Sequence, residues 1–182
     1  MINNMDKKII KYFSVVDFKK YMMSIGYVSY DYNCFEMCIE RLNNSNICVI
    51  SIGEPNEWIH IDNNHDLWAN GVNNHWLPSS DSVLNIEFGD VGNYGNMKYK
   101  TAITDEQAIE IVKFIERNSH KIEFIIHCSA GMSRSGAVSA WIYEYFKCKG
   151  MDVVIEPEYP STPNYYVKGK LKDIYYANSQ SC

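Results

Sequence analysis

No run of apolar residues in this chain approaches the roughly eighteen that a membrane-crossing helix requires. Positive charge is not in excess either. The 17 lysines and arginines face 22 aspartates and glutamates, a formal charge of −5, and no basic face stands out, which argues against a dedicated nucleic-acid binder. The six cysteines (Cys34, Cys38, Cys48, Cys128, Cys148 and Cys182) have no paired spacing. They suit a reducing cytoplasm, where a thiolate nucleophile survives, better than a disulfide framework. Lys11 and Asp17 interrupt any signal-peptide core, so export is not expected. Without repeats or a low-complexity linker, the 182 residues read as one domain, 1–182, whose polar residues 1–8 are expected to fray.

What the chain does have is concentrated between Ile122 and Gly136. Ile122, Phe124, Ile125 and Ile126 form a short β-rich apolar run bounded by polar residues, the signature of a core strand. From Ser135 onward, Val138, Trp141, Ile142, Tyr145 and Phe146 recur at helical steps. Cys128 therefore stands where a strand ends, and Arg134 where a helix begins. A loop of small residues entering a helix can turn successive backbone N–H groups inward, and the helix terminus adds partial positive charge. Such a cradle suits a phosphate dianion or another oxyanion and favours the thiolate form of a thiol at its base. Arg134 adds a full charge on a planar fork that matches two phosphoryl oxygens at once.

Around this stretch the coarse reading alternates. A first strand spans Ile9 to Val16, Asp17 is placed to cap a helix through Met23, and a helix follows from Phe35 to Leu42. Cys34 and Cys38 lie one turn apart on that helix, without a second ligand pair for a metal. Tyr27, Tyr30 and Tyr32 read as packed loop anchors, with a wall of the substrate site as the second reading. Ile47 to Ile52 is a strand ending at Gly53, and Val83 to Phe88 is another. Between them, residues 54–82 form a long loop holding Trp58, Trp68 and Trp76 with His60, Asp62, His65, Asp66 and His75. Its His and Asp spacing fits no common zinc pattern, and the loop is expected to help roof the site. Thr104 and Gln107 make a capping box for a helix to about Asn118, expected to lie beside the strand that delivers Cys128. Lys149 and Gly150 stop the helix from Ser135, Pro157, Pro160 and Pro163 mark a linker, and Asn164 caps a last helix through about Tyr176.

The run His127-Cys128-Ser129-Ala130-Gly131-Met132-Ser133-Arg134-Ser135-Gly136 resembles the His-Cys-x5-Arg-Ser/Thr signature of protein tyrosine phosphatases, with wording nearest the small dual-specificity branch. A Cys-x5-Arg spacing alone is a weak signal, but the preceding strand, internal glycine and following helix make it a specific one. The resemblance implies an α/β fold with a central, mostly parallel sheet flanked by helices. It implies that Cys128 attacks phosphorus and carries a phosphocysteine intermediate, and that Arg134 and the amides of Ser129, Ala130, Gly131, Met132, Ser133 and Arg134 hold the phosphoryl oxygens. Ser135 would assist departure of the sulfur, and His127 would order the loop from behind. The leaving oxygen needs a proton, which in that branch comes from an Asp after a strand some tens of residues upstream. Asp90 occupies that position, with Asp81, Glu87 and Asp105 as rivals. The flanking Gly89, Gly92 and Gly95 depart from the family pattern.

The function this implies is hydrolysis of phosphotyrosine in phosphoproteins, with phosphoserine and phosphothreonine as further candidates, and without metal or other cofactor. Two alternatives stand beside it. One is a phosphatase of inositol phosphate, lipid phosphate or an RNA 5′ end, weakened by the lack of lysine between Cys128 and Arg134 and by the acidic balance. The other is a non-catalytic phosphate-binding module. Sulfur transfer or arsenate reduction is more remote.

Overall fold

The computed structural model describes residues 7–27, 35–53, 77–91 and 102–179. At its centre lie five strands, β1 (Lys8–Ser14), β2 (Ile47–Gly53), β3 (Val83–Glu87), β4 (Glu123–Cys128) and β5 (Val153–Glu156), in the order β3-β2-β4-β1-β5. Each neighbouring pair is parallel. Parallel strands require crossovers, which place helices over both faces of the sheet. Here they are α1 (Val15–Ser24), α2 (Phe35–Asn43), α3 (Asp105–Arg117), α4 (Arg134–Cys148) and α5 (Tyr165–Ser179).

The two-residue alternation of β4 sorts these layers. Phe124, Ile126 and Cys128 join a core that includes Ala108, Ile111 and Ile115 of α3, Val138 and Ile142 of α4, and Val167 and Leu171 of α5. Ile125 joins the opposite core, with Phe18 and Met22 of α1 and Leu42 of α2. His127 follows Ile125 onto that face, where its ring stacks on Phe18 at a centroid distance of 4.0 Å. β4 is the middle strand, and Cys128 pairs in register with Ser14, the last residue of β1. The carboxyl ends of β1, β2, β3 and β4 thus share one edge, where open parallel sheets bind their ligands.

Several local expectations change. Lys8 is not frayed: it opens β1, its N–H meets the Asp152 carbonyl, and its side chain is buried against the Lys121 carbonyl. The cap of α1 is Ser14 rather than Asp17, because the strand leaves Ser14 extended with its hydroxyl accepting from the Asp17 N–H. Val153–Glu156 is a strand where none was expected; four residues paired on one side only carry little periodic signal. Helix α3 lies against α5 and β3, and its Ala108, Ile111 and Ile115 share one buried core with Phe124 and Ile126 of β4, as expected. Of the long loop, residues 77–82 are described, and they line the sheet instead of covering the site: Leu77 is buried in the α1/α2 core and Ser80 is bonded to Asn43. Residues 54–76, with the three tryptophans and the His/Asp cluster, lie outside the described residues, as do Cys34, Tyr30 and Tyr32. Among the described residues no helix is long and apolar enough to cross a membrane.

Lys121 fastens the turn before β4 to α2. Its ammonium, 3% exposed as a residue, donates to the carbonyls of Asn43 (3.2 Å) and Ser45 (2.8 Å), where helix α2 needs partners for its terminal carbonyls. Burial pulls its pKa below the usual lysine value. Lys121→Met strands those carbonyls and is expected to lower unfolding free energy by about 2–3 kcal/mol in urea titrations. Lys113→Met, on the exposed side of α3, should stay within about 0.5 kcal/mol of the parent.

Candidate functional site

Strand β4 ends at Cys128 and helix α4 begins at Arg134, so five residues make the whole connection. The chain reverses there through Gly131, whose φ of +71° is one that side chains rarely adopt. Space is the stronger constraint. A Cβ on Gly131 would stand 2.1 Å from the Ser14 nitrogen and 2.4 Å from the Phe13 carbonyl carbon. The loop therefore lies directly on the junction of β1 and α1, fixed further by the Val15 N–H donating to the Ser129 carbonyl at 3.4 Å.

Folding back this tightly brings the loop onto the cysteine. The Gly131 N–H donates to Cys128 Sγ at 3.3 Å, and the Ser135 hydroxyl lies 3.2 Å from the same sulfur. Cys128 and Ser135 are both buried, whereas Ala130 and Met132 face solvent. The thiols divide by surroundings: Cys48 sits wholly inside the apolar core, where burial pushes its thiol well above the usual range, a setting in which a cysteine is inert. Cys128 instead meets polar hydrogens at a strand end.

Arg134 is 3% exposed. Its Nη1 donates to the carbonyls of Phe88 (2.8 Å) and Gly53 (3.2 Å), and its Nη2 donates to Ser129 Oγ (3.2 Å). The carbonyl ends of β2 and β3 thereby hold the guanidinium in a fixed plane beside the loop.

The start of α4 differs from that of α3. Helix α3 opens with the expected capping box, Thr104 with Gln107, and two acidic residues in its first turn. Helix α4 opens with Ser133, which makes no side-chain cap, and with no acidic residue in its first turn. The positive end of α4 is thus left without a side-chain acceptor or carboxylate of its own, next to the Cys128 loop.

The Ser133 hydroxyl goes elsewhere. It donates to Asp90 Oδ1 at 2.7 Å, so the half-buried Asp90, two residues past the Phe88 carbonyl, touches the loop. Its rivals do not share this place: Asp105 pairs with Lys170 on α5, Asp81 precedes β3 at the other end of the sheet, and Glu87 ends that strand. Gly92 and Gly95 lie outside the described residues.

One residue read only as a helix cap takes a second position. Asn164 does cap α5, its Oδ1 accepting from the Val167 N–H at 3.1 Å. Its main-chain N–H also donates to the Ser133 carbonyl (3.0 Å), and its Nδ2 donates to Asp90 Oδ1 (2.7 Å) and the Val91 carbonyl (3.3 Å). The Pro163-Asn164 pair signalled the cap, but no local pattern signals a bond across 74 residues. Among the described residues no group of three or more His, Cys, Asp or Glu is arranged to hold a metal ion.

No protein-family model matches the chain, and neither a curated protein nor a solved structure matches it.

Gly131→Ala tests the loop directly. The forced clash and the unfavourable φ are expected to cost roughly 2–4 kcal/mol of stability. Tungstate or vanadate is expected to protect Cys128 of the parent protein against iodoacetamide, and that protection should disappear in Gly131→Ala. Gly150→Ala, also at positive φ but with open space around it, should cost about 1 kcal/mol and leave that protection in place.

Proposed function

We propose that this chain is a cysteine-dependent phosphoprotein phosphatase of the protein tyrosine phosphatase type, nearest to the small dual-specificity branch. Its substrates are phosphotyrosine residues, with phosphoserine and phosphothreonine as further candidates. The observation that carries the reading is the position of the Cys128 sulfur. It lies within hydrogen-bond reach of the Gly131 amide and the Ser135 hydroxyl, at the uncapped start of α4, with the Arg134 guanidinium fixed beside the same loop.

In this reading the Cys128 thiolate attacks phosphorus and forms an S–P bond as the P–O bond to the tyrosyl or seryl oxygen breaks. Asp90 gives its proton to that departing oxygen. The amides from Ser129 to Arg134, the α4 terminus and the guanidinium hold the equatorial oxygens, whose charge is best met in the trigonal-bipyramidal arrangement. Water then attacks the phosphocysteine and returns a proton to the Asp90 carboxylate. The S–P bond breaks, and the thiolate leaves accepting a hydrogen bond from Ser135. His127 touches no reacting atom; its stack on Phe18 holds the strand end from the opposite face. Positive charge comes from the protein itself, so the reaction as written needs no cofactor. A thiolate nucleophile fits a reducing compartment such as the cytoplasm. With net negative charge and a lysine-free loop, a phosphoprotein suits the site better than a nucleic acid or a highly charged inositol phosphate.

Cys128→Ser is expected to abolish phosphate release from a phosphotyrosine peptide while retaining peptide binding. Asp90→Asn keeps an oxygen for Ser133 but has no proton to give. It should lower kcat by ~10²–10⁴-fold on that peptide, and much less on an ester with an activated leaving group. Unchanged turnover by Asp90→Asn on the peptide would remove Asp90 from the acid role. Release that survives Cys128→Ser would remove the mechanism.

A further inference from the structure

We propose that Asn164 is a positioning residue that fixes which oxygen of Asp90 carries the transferable proton; the inference rests on the phosphatase reading above. The amide orientation of Asn164 is determined by its neighbours. Oδ1 accepts from the Val167 N–H, so Nδ2 is the group that faces Asp90. Asp90 Oδ1 then receives two donors, Asn164 Nδ2 and the Ser133 hydroxyl, each at 2.7 Å. An oxygen accepting two such bonds is the carbonyl-like oxygen of a protonated carboxyl group, because a proton on it would meet both donors head-on. The proton of the neutral acid is therefore confined to Oδ2, and the carboxyl group cannot turn over to present the other oxygen.

Asn164 also sets where that acid stands. Its Nδ2 reaches the Val91 carbonyl at 3.3 Å and its N–H reaches the Ser133 carbonyl at 3.0 Å. One residue thus ties the segment after β3, through its side chain, to the last residue before α4, through its main chain. A nearby contact fixes Asn164 itself: a Cβ on Gly136, in the first turn of α4, would meet Pro160 Cβ at 3.0 Å and Pro163 Cα at 3.8 Å. The 160–164 segment is seated on α4, so the acid is registered to the same helix that carries Arg134 and Ser135.

Asn164→Ser separates this role from helix capping, since serine caps α5 equally well but has no amide to give Asp90. The experiment measures kcat and KM for phenyl phosphate, which needs a proton on its leaving oxygen, and for dinitrophenyl phosphate, which does not. Thermal unfolding is followed in parallel. The ratio of the phenyl to the dinitrophenyl kcat should fall ~10-fold in Asn164→Ser, with KM and Tm near the parent values. In an Asp90→Asn background the same substitution should leave the ratio where Asp90→Asn alone puts it, since both act through one proton. An equal loss on both esters, or further loss in the Asp90→Asn background, would show that Asn164 supports the loop in general and overturn the inference while leaving the phosphatase reading intact. An unchanged ratio would overturn it too. A parent protein that hydrolyses neither ester overturns the phosphatase reading, and this inference with it.

Discussion

The geometry of the site depends on one close approach, that of Gly131 to the end of β1. A backbone turn so close that any Cβ on Gly131 would stand 2.1 Å from the Ser14 nitrogen cannot relax outward without leaving the junction of β1 and α1. Because it cannot, the loop closes inward, and the Gly131 N–H meets the Cys128 sulfur. The neighbouring strand thus shapes the loop, and that strand is held in turn by the pairing of β1 with both β4 and β5. The short edge strand β5, unseen in the sequence, supports the site at second hand.

Charge is organised around the same loop. Arg134 is buried by carbonyl oxygens of two strands and a loop hydroxyl, an arrangement that fixes a planar cation at modest desolvation cost because its hydrogen bonds are supplied. Ser133 forgoes capping α4 in order to hold Asp90. That choice exposes the positive end of the helix and brings a carboxyl group to the rim in one step. A helix built for stability alone would resemble α3, whose first turn carries a capping box and two acids. Local stability is set aside here, which is where function is expected to show.

Much of this was legible in the sequence where the signal is local and periodic. The apolar run before Cys128 and the helical recurrence from Val138 to Phe146 located the strand and the helix, and Thr104 with Gln107 located another helix start. The parallel sheet was what the phosphatase resemblance implied, and the order of strand and helix signals agreed with it. What escaped was set by contacts between distant residues. Ser14 took the cap in place of Asp17 because pairing with Cys128 of β4 carries β1, extended, to that residue, and β5 is a strand only because β1 lies beside it. The two roles of Asn164 fall on either side of this line. Its cap lies within three residues and could be read, while its bond to Asp90 depends on the fold.

The account turns on sulfur becoming the temporary carrier of the phosphoryl group. The direct measurement is acid quenching of Ser135→Ala during turnover of a labelled phosphotyrosine peptide, followed by mapping of the protein-bound label. Removing the hydroxyl that lies 3.2 Å from the sulfur should slow thiolate departure, so label is predicted to accumulate on Cys128 and nowhere else. Turnover with no protein-bound label, or label on another residue, would contradict the account.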